Sequence, residues 1–88
     1  MFYYNYVLKY TDSKNNFNIY IGYCENLKVR LKEHLSRSVF TTKNYIELEL
    51  IYFEGCLNQQ DATHREKYLK TYLGRMFLKN RLKSYLIG

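Results

Sequence analysis

Alternating apolar and polar residues predict a β-hairpin at the start of the chain. Residues 2–10 (FYYNYVLKY) are rich in aromatic and β-branched types, which favour a strand. A polar cluster at residues 12–16 predicts a turn, and residues 17–23 (FNIYIGY) predict the returning strand. Side chains alternate between the two faces of a strand. One face of the first strand would carry Tyr4, Tyr6, Leu8 and Tyr10.

A third strand is predicted over residues 46–53 (IELELIYF), where the alternation is regular. One side would carry Glu47, Glu49 and Ile51, and the other Leu48, Leu50 and Tyr52. The preceding residues 36–45 (SRSVFTTKNY) show no periodicity, so they are expected to form a loop.

A helix is predicted over residues 25–35, where an apolar residue recurs at every fourth position. The apolar stripe consists of Leu27, Leu31 and Leu35. At about 100° per residue, Arg30 and His34 lie beside this stripe, where the core meets solvent. Both side chains point the same way. The second strand carries Gly22 near its end, where a glycine permits close backbone approach to a ligand. The pair therefore predicts a small polar site, although a solvated helix shoulder would show the same spacing.

Two more helices are predicted after the third strand. Asn58, followed by Asp61, resembles a capping box and predicts a helix over residues 59–72. Gly74 is expected to end this helix, and the last helix would span residues 75–86. The inward side chains of the last helix would be Leu78, Leu82 and Tyr85.

Glu66 is predicted to lie within the apolar face of its helix. That face is defined by Ala62, Leu69 and Leu73, and Glu66 falls near its middle. A carboxylate in such a place must be paired, protonated or bound to a cation. The spacing alone leaves two interpretations open. One is an internal ion pair, for example with Arg30, and the other is a ligand for a hard cation such as Mg²⁺.

Together the elements predict a single α+β domain over residues 1–88, with a small three-stranded antiparallel sheet flanked by three or more helices. No apolar run approaches the roughly 20 residues of a membrane span, and the N-terminus lacks the layout of a signal peptide. Cys24 and Cys56 have no metal-ligand spacing. They are expected to be reduced in a cytoplasmic protein rather than joined in a disulfide.

The positive charge of the chain is concentrated near its C-terminus. Seven basic residues and one acidic residue lie within residues 65–83, so this basic segment carries the whole net charge of +6. Such a local excess is typical of a surface that binds a polyanion, and it predicts a nucleic-acid partner. A solvated helical face is the alternative explanation.

The chain resembles the GIY-YIG nuclease domains, in particular the small stand-alone bacterial type. It is similar to the catalytic domains of the excision-repair nuclease and of GIY-YIG homing endonucleases. The YIG element is present as Tyr20-Ile21-Gly22, whereas the first element reads Tyr4-Asn5-Tyr6 and lacks the glycine and isoleucine. The other matching motifs are Arg30 with His34, Thr42-Lys43-Asn44, Arg65-Glu66-Lys67-Tyr68-Leu69-Lys70, and Gly74-Arg75 with Phe77-Leu78-Lys79-Asn80.

The resemblance implies hydrolysis of phosphodiester bonds in DNA with one divalent metal, usually Mg²⁺, for which Mn²⁺ can substitute. It implies that Glu66 holds the metal, that Arg30 holds a phosphate oxygen, and that Tyr6 activates water with help from Tyr20. His34 is the competing general base, since its ordinary pKa is near 6.5. The residues implied to contact substrate are Gly22, Lys43, Lys70, Arg75 and Asn80.

The leading prediction is therefore a Mg²⁺-dependent endonuclease with low sequence specificity or with recognition of DNA structure, since no groove-reading motif is present. The alternative is a catalytically inactive nucleic-acid-binding module on the same fold, which the altered first element favours. Repair, restriction and mobile-element roles all occur among the relatives implied, and RNA stays open as a substrate. A monomer is slightly favoured.

Overall fold

A three-stranded antiparallel sheet and four helices make up the fold in the computed structural model, which describes residues 1–87. Strand β1 (Tyr3–Thr11) is central, between β2 (Phe17–Cys24) and β3 (Ile46–Cys56). The helices are α1 (Leu27–Leu35), α2 (Gln59–Leu69), α3 (Tyr72–Arg81) and α4 (Lys83–Ile87). The predicted α+β class and the antiparallel sheet are thus confirmed.

Helices cover both faces of the sheet. On one face, Tyr6 and Leu8 of β1 pack with α1 through Leu27 and Leu31. On the other face, Val7 packs with Leu69 of α2 and Leu78 of α3. Because neighbouring residues of a strand point to opposite faces, β1 is buried continuously over residues 5–8. The sheet therefore separates the α1 side of the domain from the α2–α3 side.

Strand β3 departs from the predicted alternation because it contains a β-bulge. Val7 pairs with Tyr52 while the next residue, Leu8, pairs with Leu50, which leaves Ile51 as an extra residue. Tyr52 packs with Val7, whereas Leu50 packs with Leu8 on the other face. The prediction that Tyr52 shares a face with Leu50 is therefore wrong, because an inserted residue reverses the alternation beyond it.

The helix predicted over residues 59–72 ends early, at Leu69, and a new helix begins. Thr71 caps α3, since its Oγ1 accepts from the Gly74 amide at 3.1 Å and donates to the Tyr68 carbonyl at 2.6 Å. Gly74 lies buried inside the first turn of α3, where an added Cβ would come within 2.0 Å of the Tyr68 oxygen. The prediction that Gly74 ends a helix is wrong, because this glycine lets two helices meet closely.

The last predicted helix, residues 75–86, is divided in two at Leu82, which ends α3 and precedes α4. No helix within residues 1–87 has the length and apolarity to cross a membrane. Both cysteines are free thiols, in line with the sequence, but Cys56 is only half-buried whereas Cys24 is buried.

Candidate active site

Three buried side chains form a hydrogen-bonded chain on the α1 side of the sheet. Tyr6 Oη lies 2.8 Å from Nε2 of His34, and Nδ1 of His34 lies 2.7 Å from Oγ1 of Thr42. These residues come from β1, α1 and the loop before β3, and none is more than 2% exposed. We call them the buried triplet. Because both ring nitrogens have a partner, the imidazole is held in one orientation.

Tyr20 and Arg30 complete the cluster around the buried triplet. The Tyr20 ring centroid lies 5.4 Å from that of His34 and 6.3 Å from that of Tyr6. Arg30 is 41% exposed and pairs with Glu33 at 3.1 Å, close enough for its charge to act on both Tyr6 and His34. The structure thus brings the four predicted catalytic residues together, with the positively charged Arg30 side chain at the solvent edge.

The cluster sets the protonation states of its two candidate bases. Burial raises the pKa of Tyr6 well above its usual range, the Tyr20 hydroxyl adds to the rise, and Arg30 opposes it. Burial lowers the pKa of His34 below its usual range, Arg30 lowers it further, and Glu33 partly offsets both effects. At neutral pH, Tyr6 therefore remains a protonated phenol and His34 a neutral imidazole, one of whose ring nitrogens can accept a proton.

The lack of a side chain at Gly22 matters for the packing of Tyr6. A Cβ added to Gly22 would lie 2.4 Å from both Cζ and Oη of Tyr6. The two residues are directly opposite each other in the β1–β2 ladder. The missing side chain therefore makes room for the Tyr6 ring, while a contact between Gly22 and substrate stays a prediction.

Glu66 lies on α2, the helix whose Leu69 packs on the opposite face of the sheet from Tyr6. Its side chain is 22% exposed and pairs with Lys70 Nζ at 3.2 Å. Ala62 and Leu69 of the predicted apolar face are buried, whereas Leu73 is exposed and belongs to α3. Within residues 1–87, no hydrogen bond or ion pair joins Glu66 to any of the four predicted catalytic residues. The predicted partner Arg30 pairs with Glu33 instead.

The chemistry of Glu66 fits a hard cation only if other oxygens complete the site. Mg²⁺ is commonly held by one or two carboxylates together with water and substrate phosphates, so a single half-buried carboxylate is sufficient on the protein side. Residues 1–87 contain no group of three or more metal-ligating side chains. A metal at Glu66 would also compete with the ammonium group of Lys70.

The predicted substrate-binding residues other than Gly22 are dispersed over the surface. Lys43 lies over the Phe40 ring at 4.7 Å in the loop before β3. Lys70 and Asn80 are exposed on the α2–α3 side, and half-buried Arg75 lines an apolar groove of about 430 Å³. Within residues 1–87, no hydrogen bond joins any two of these four residues.

Thr42 is the member of the cluster that the sequence interpretation missed. The threonine lies in a loop without periodicity, where a hydroxyl side chain is ordinary. Two turns hold it in place, because its amide donates to the Val39 carbonyl at 3.2 Å and its carbonyl accepts from the Tyr45 amide at 3.0 Å. The motif Thr42-Lys43-Asn44 indicates a functional loop, but only the folded structure shows that the Thr42 hydroxyl forms a hydrogen bond with His34.

Comparison with known proteins identifies one family. A family model described as the GIY-YIG catalytic domain matches residues 2–80 of the 88-residue chain. No curated protein and no solved structure matches the chain significantly. The matched region contains the whole sheet, the buried triplet and Glu66.

Proposed function

Because the chain belongs to the GIY-YIG catalytic domain family, we propose that it is a divalent-metal-dependent endonuclease that hydrolyses phosphodiester bonds in DNA. The domain has a nuclease-type fold. The observation that carries the proposal is the buried triplet with Arg30 at its edge. This cluster combines a proton acceptor with a cation for phosphate, and hydrolysis of a phosphodiester needs both.

His34 receives the proton in this proposal, and Tyr6 passes it on. The attacking water gives a proton to Tyr6 Oη while Tyr6 gives its own proton to Nε2 of His34, which lies 2.8 Å away. Tyr6 cannot act as the base by itself, because burial raises its pKa and the phenol therefore keeps its proton at neutral pH. His34 is neutral at pH 7 because its pKa is lowered, so its lone pair is available there.

Arg30 supplies charge for the phosphate. It is part-exposed at the edge of the cluster, and its present partner Glu33 is exposed to a similar extent, so a phosphate oxygen can replace that carboxylate. Glu66 would hold the metal, which supplies Lewis-acid stabilisation of the charge that develops on the phosphate. Tyr20 packs against His34 and limits the rotation of its ring.

Substitution of the metal ligand tests the proposal. With Mg²⁺ or Mn²⁺, the wild-type protein should cut at least one of plasmid, nicked, flapped or single-stranded DNA, and an RNA strand is assayed in parallel. Glu66→Gln should lower the rate by at least about 100-fold, because metal activation contributes several kcal/mol. DNA binding should persist, because the basic side chains are unchanged.

The matched control is the single variant Asp61→Asn, which neutralises a different carboxylate of the same helix and leaves Glu66 in place. Its rate should stay within about threefold of the parent, as expected for an exposed position away from the chemistry. A wild-type protein that leaves every substrate intact with either metal would overturn the proposal.

One observation favours a second candidate, an inactive nucleic-acid-binding module. Glu66 belongs to a helix that packs on the opposite face of the sheet from Tyr6, and its carboxylate is already paired with Lys70. In this case wild type and Glu66→Gln bind DNA alike, and neither cuts it with Mg²⁺ or Mn²⁺. The same assays therefore separate the two candidates.

A further inference from the structure

We propose that Thr42 is a positioning residue that fixes the tautomer of His34, so that Nδ1 carries the proton and Nε2 faces Tyr6 as the acceptor. Thr42 touches neither the substrate nor the reacting atoms in this arrangement. The effect of Thr42 on the tautomer of His34 does not depend on what the protein does. The catalytic consequence rests on the proposed nuclease function.

The direction of the two hydrogen bonds follows from the chemistry of the two buried hydroxyls, since the phenol of Tyr6 is a stronger proton donor and a weaker acceptor than the aliphatic hydroxyl of Thr42. Tyr6 is 2% exposed and its hydroxyl proton needs an acceptor, which Nε2 of His34 provides at 2.8 Å. A neutral imidazole with an accepting Nε2 must carry its proton on Nδ1. That proton points at Oγ1 of Thr42, 2.7 Å away, and the hydroxyl oxygen accepts it.

The position of the Thr42 hydroxyl is fixed independently of His34. Two turns hold the threonine backbone, and the Tyr45 ring beyond them stacks on Tyr10 of β1 at 3.8 Å with an interplanar angle of 3°. Thr42 itself is fully buried, and a β-branched side chain has few rotamers. The loop therefore presents one acceptor to the ring in a defined place.

A hydroxyl at this position orients the ring without charging it. The titratable and charged groups around His34 are Tyr6 and Tyr20 from the sheet and Arg30 and Glu33 from its own helix. A carboxylate in place of Thr42 would favour the imidazolium form. The neutral threonine leaves the imidazole uncharged, as an acceptor at neutral pH must be.

Nitrogen NMR of the imidazole rings tests the tautomer directly. The chain contains two histidines, His34 and His64, and exposed His64 serves as an internal reference. Long-range ¹⁵N–¹H spectra at pH 7.5 should show His34 of the wild type as the Nδ1–H form. Thr42→Val, which keeps the shape but lacks the acceptor, should shift His34 towards the Nε2–H form. Thr42→Ser should retain the wild-type pattern.

DNA cleavage by the same variants tests the catalytic consequence. Thr42→Val should lose at least about tenfold in rate, part of the roughly 10²–10⁴-fold that a positioned acid–base group contributes. Thr42→Ser should stay within about threefold of the wild type. The shape of the pH–rate profile should change in Thr42→Val and stay as in the wild type in Thr42→Ser. A purely structural defect would instead lower the rate by the same factor at every pH.

The outcomes separate this inference from the proposed function. A shifted tautomer in a protein that never cuts DNA would support the role of Thr42 and overturn the nuclease. An unchanged His34 tautomer in Thr42→Val would overturn the role of Thr42, whatever the rates are. Circular dichroism verifies folding, and Thr42→Ala is the second hydroxyl-free variant if the valine protein does not fold.

Discussion

At the residue scale, the site depends on a fully buried histidine whose two ring nitrogens both have partners. Burial of an imidazole ordinarily disfavours its charged form, and here Arg30 acts in the same direction. The neutral state that the proposed chemistry requires is therefore also the state that folding favours. Protonation of His34 should weaken the fold and the proposed activity together.

Acidification should lower the free energy of unfolding through His34. Its pKa is below 6.5 in the folded protein, so the unfolded state takes up the proton first as the pH falls. The stabilisation is complete above pH 6.5 and is lost as the pH drops through the folded pKa. Urea unfolding from pH 8 to 5 should show this slope in the wild type and in His64→Gln, but a smaller slope in His34→Gln. Equal slopes in all three proteins would contradict it.

Substitution of Gly22 should displace Tyr6. In Gly22→Ala the new methyl group would lie 2.4 Å from the Tyr6 hydroxyl, so the ring must move and its bond to His34 breaks. We expect a loss of about 1–3 kcal/mol of stability from overpacking, together with loss of cleavage. Thermal unfolding and the nuclease assay measure the two effects.

Gly55→Ala is the matched control, also a strand glycine facing a tyrosine. Its new Cβ would meet the Tyr4 ring at 3.2 Å, a contact that a few tenths of an ångström of movement can relieve. Equal losses in Gly22→Ala and Gly55→Ala would contradict a special fit between Gly22 and Tyr6.

The sequence predicts the direction of a side chain better where helix or strand periodicity sets that direction than where a loop does. The spacing of Arg30 and His34 predicts that they lie close together, and they do, but His34 is fully buried instead of lying where the core meets solvent, and Leu35 of the predicted apolar stripe is exposed. Thr42 reaches His34 through two turns in a loop, and no periodicity indicates where such a side chain points. The distance between Glu66 and this cluster depends on which face of the sheet its helix covers, which spacing alone does not determine.

At the element scale, the corner between α2 and α3 shows how closely two helices can meet. Thr71 bonds to both helices, and Gly74 presents a bare backbone to the end of α2. The sequence predicts the start of α2 correctly, because an N-cap is a local signal: Asn58 Oδ1 accepts from the Asp61 amide at 3.1 Å. It misplaces Gly74, because a helix stop and a close helix contact both favour glycine.

Gly74→Ala should be severely destabilising. Its Cβ would lie 2.0 Å from the Tyr68 carbonyl oxygen and 2.5 Å from Leu69 Cα, and backbone atoms cannot rotate away. We expect a loss of at least about 2 kcal/mol, at the upper end of overpacking effects. Chemical denaturation compares this loss with that of Leu73→Ala, an exposed neighbour whose loss should be about 0.5 kcal/mol. Similar losses of stability in Gly74→Ala and Leu73→Ala would contradict the close contact between Gly74 and the end of α2.

At the scale of the whole molecule, the basic segment (residues 65–83) is partly neutralised by the fold. Arg65 bonds to Glu54 at 2.6 Å, and Lys70 pairs with Glu66. The exposed basic residues that remain in the segment are Lys67, Lys79, Arg81 and Lys83. The charge that predicts a polyanion partner therefore resides mainly in these four side chains.

DNA affinity should fall steeply as the salt concentration rises. Basic side chains of the basic segment should contribute more to this affinity than basic side chains elsewhere in the chain. Lys79→Glu and Lys14→Glu each change the net charge by −2, from +6 to +4, so they differ only in position. Lys79→Glu should weaken binding by roughly tenfold and reduce the salt slope by about 1, as loss of one phosphate contact does. Fluorescence anisotropy from 50 to 300 mM salt measures both. Equal effects of the two variants would mean that only net charge matters.

The shared volume of Gly22 and Tyr6 has an evolutionary consequence. The side chains at positions 6 and 22, which belong to two separate motifs, would occupy the same space, so neither can change size independently of the other. Homologous chains that gain a side chain at position 22 should carry a smaller residue at position 6, and would then lose the phenol. A graft of this site onto another sheet would need both strands in this register.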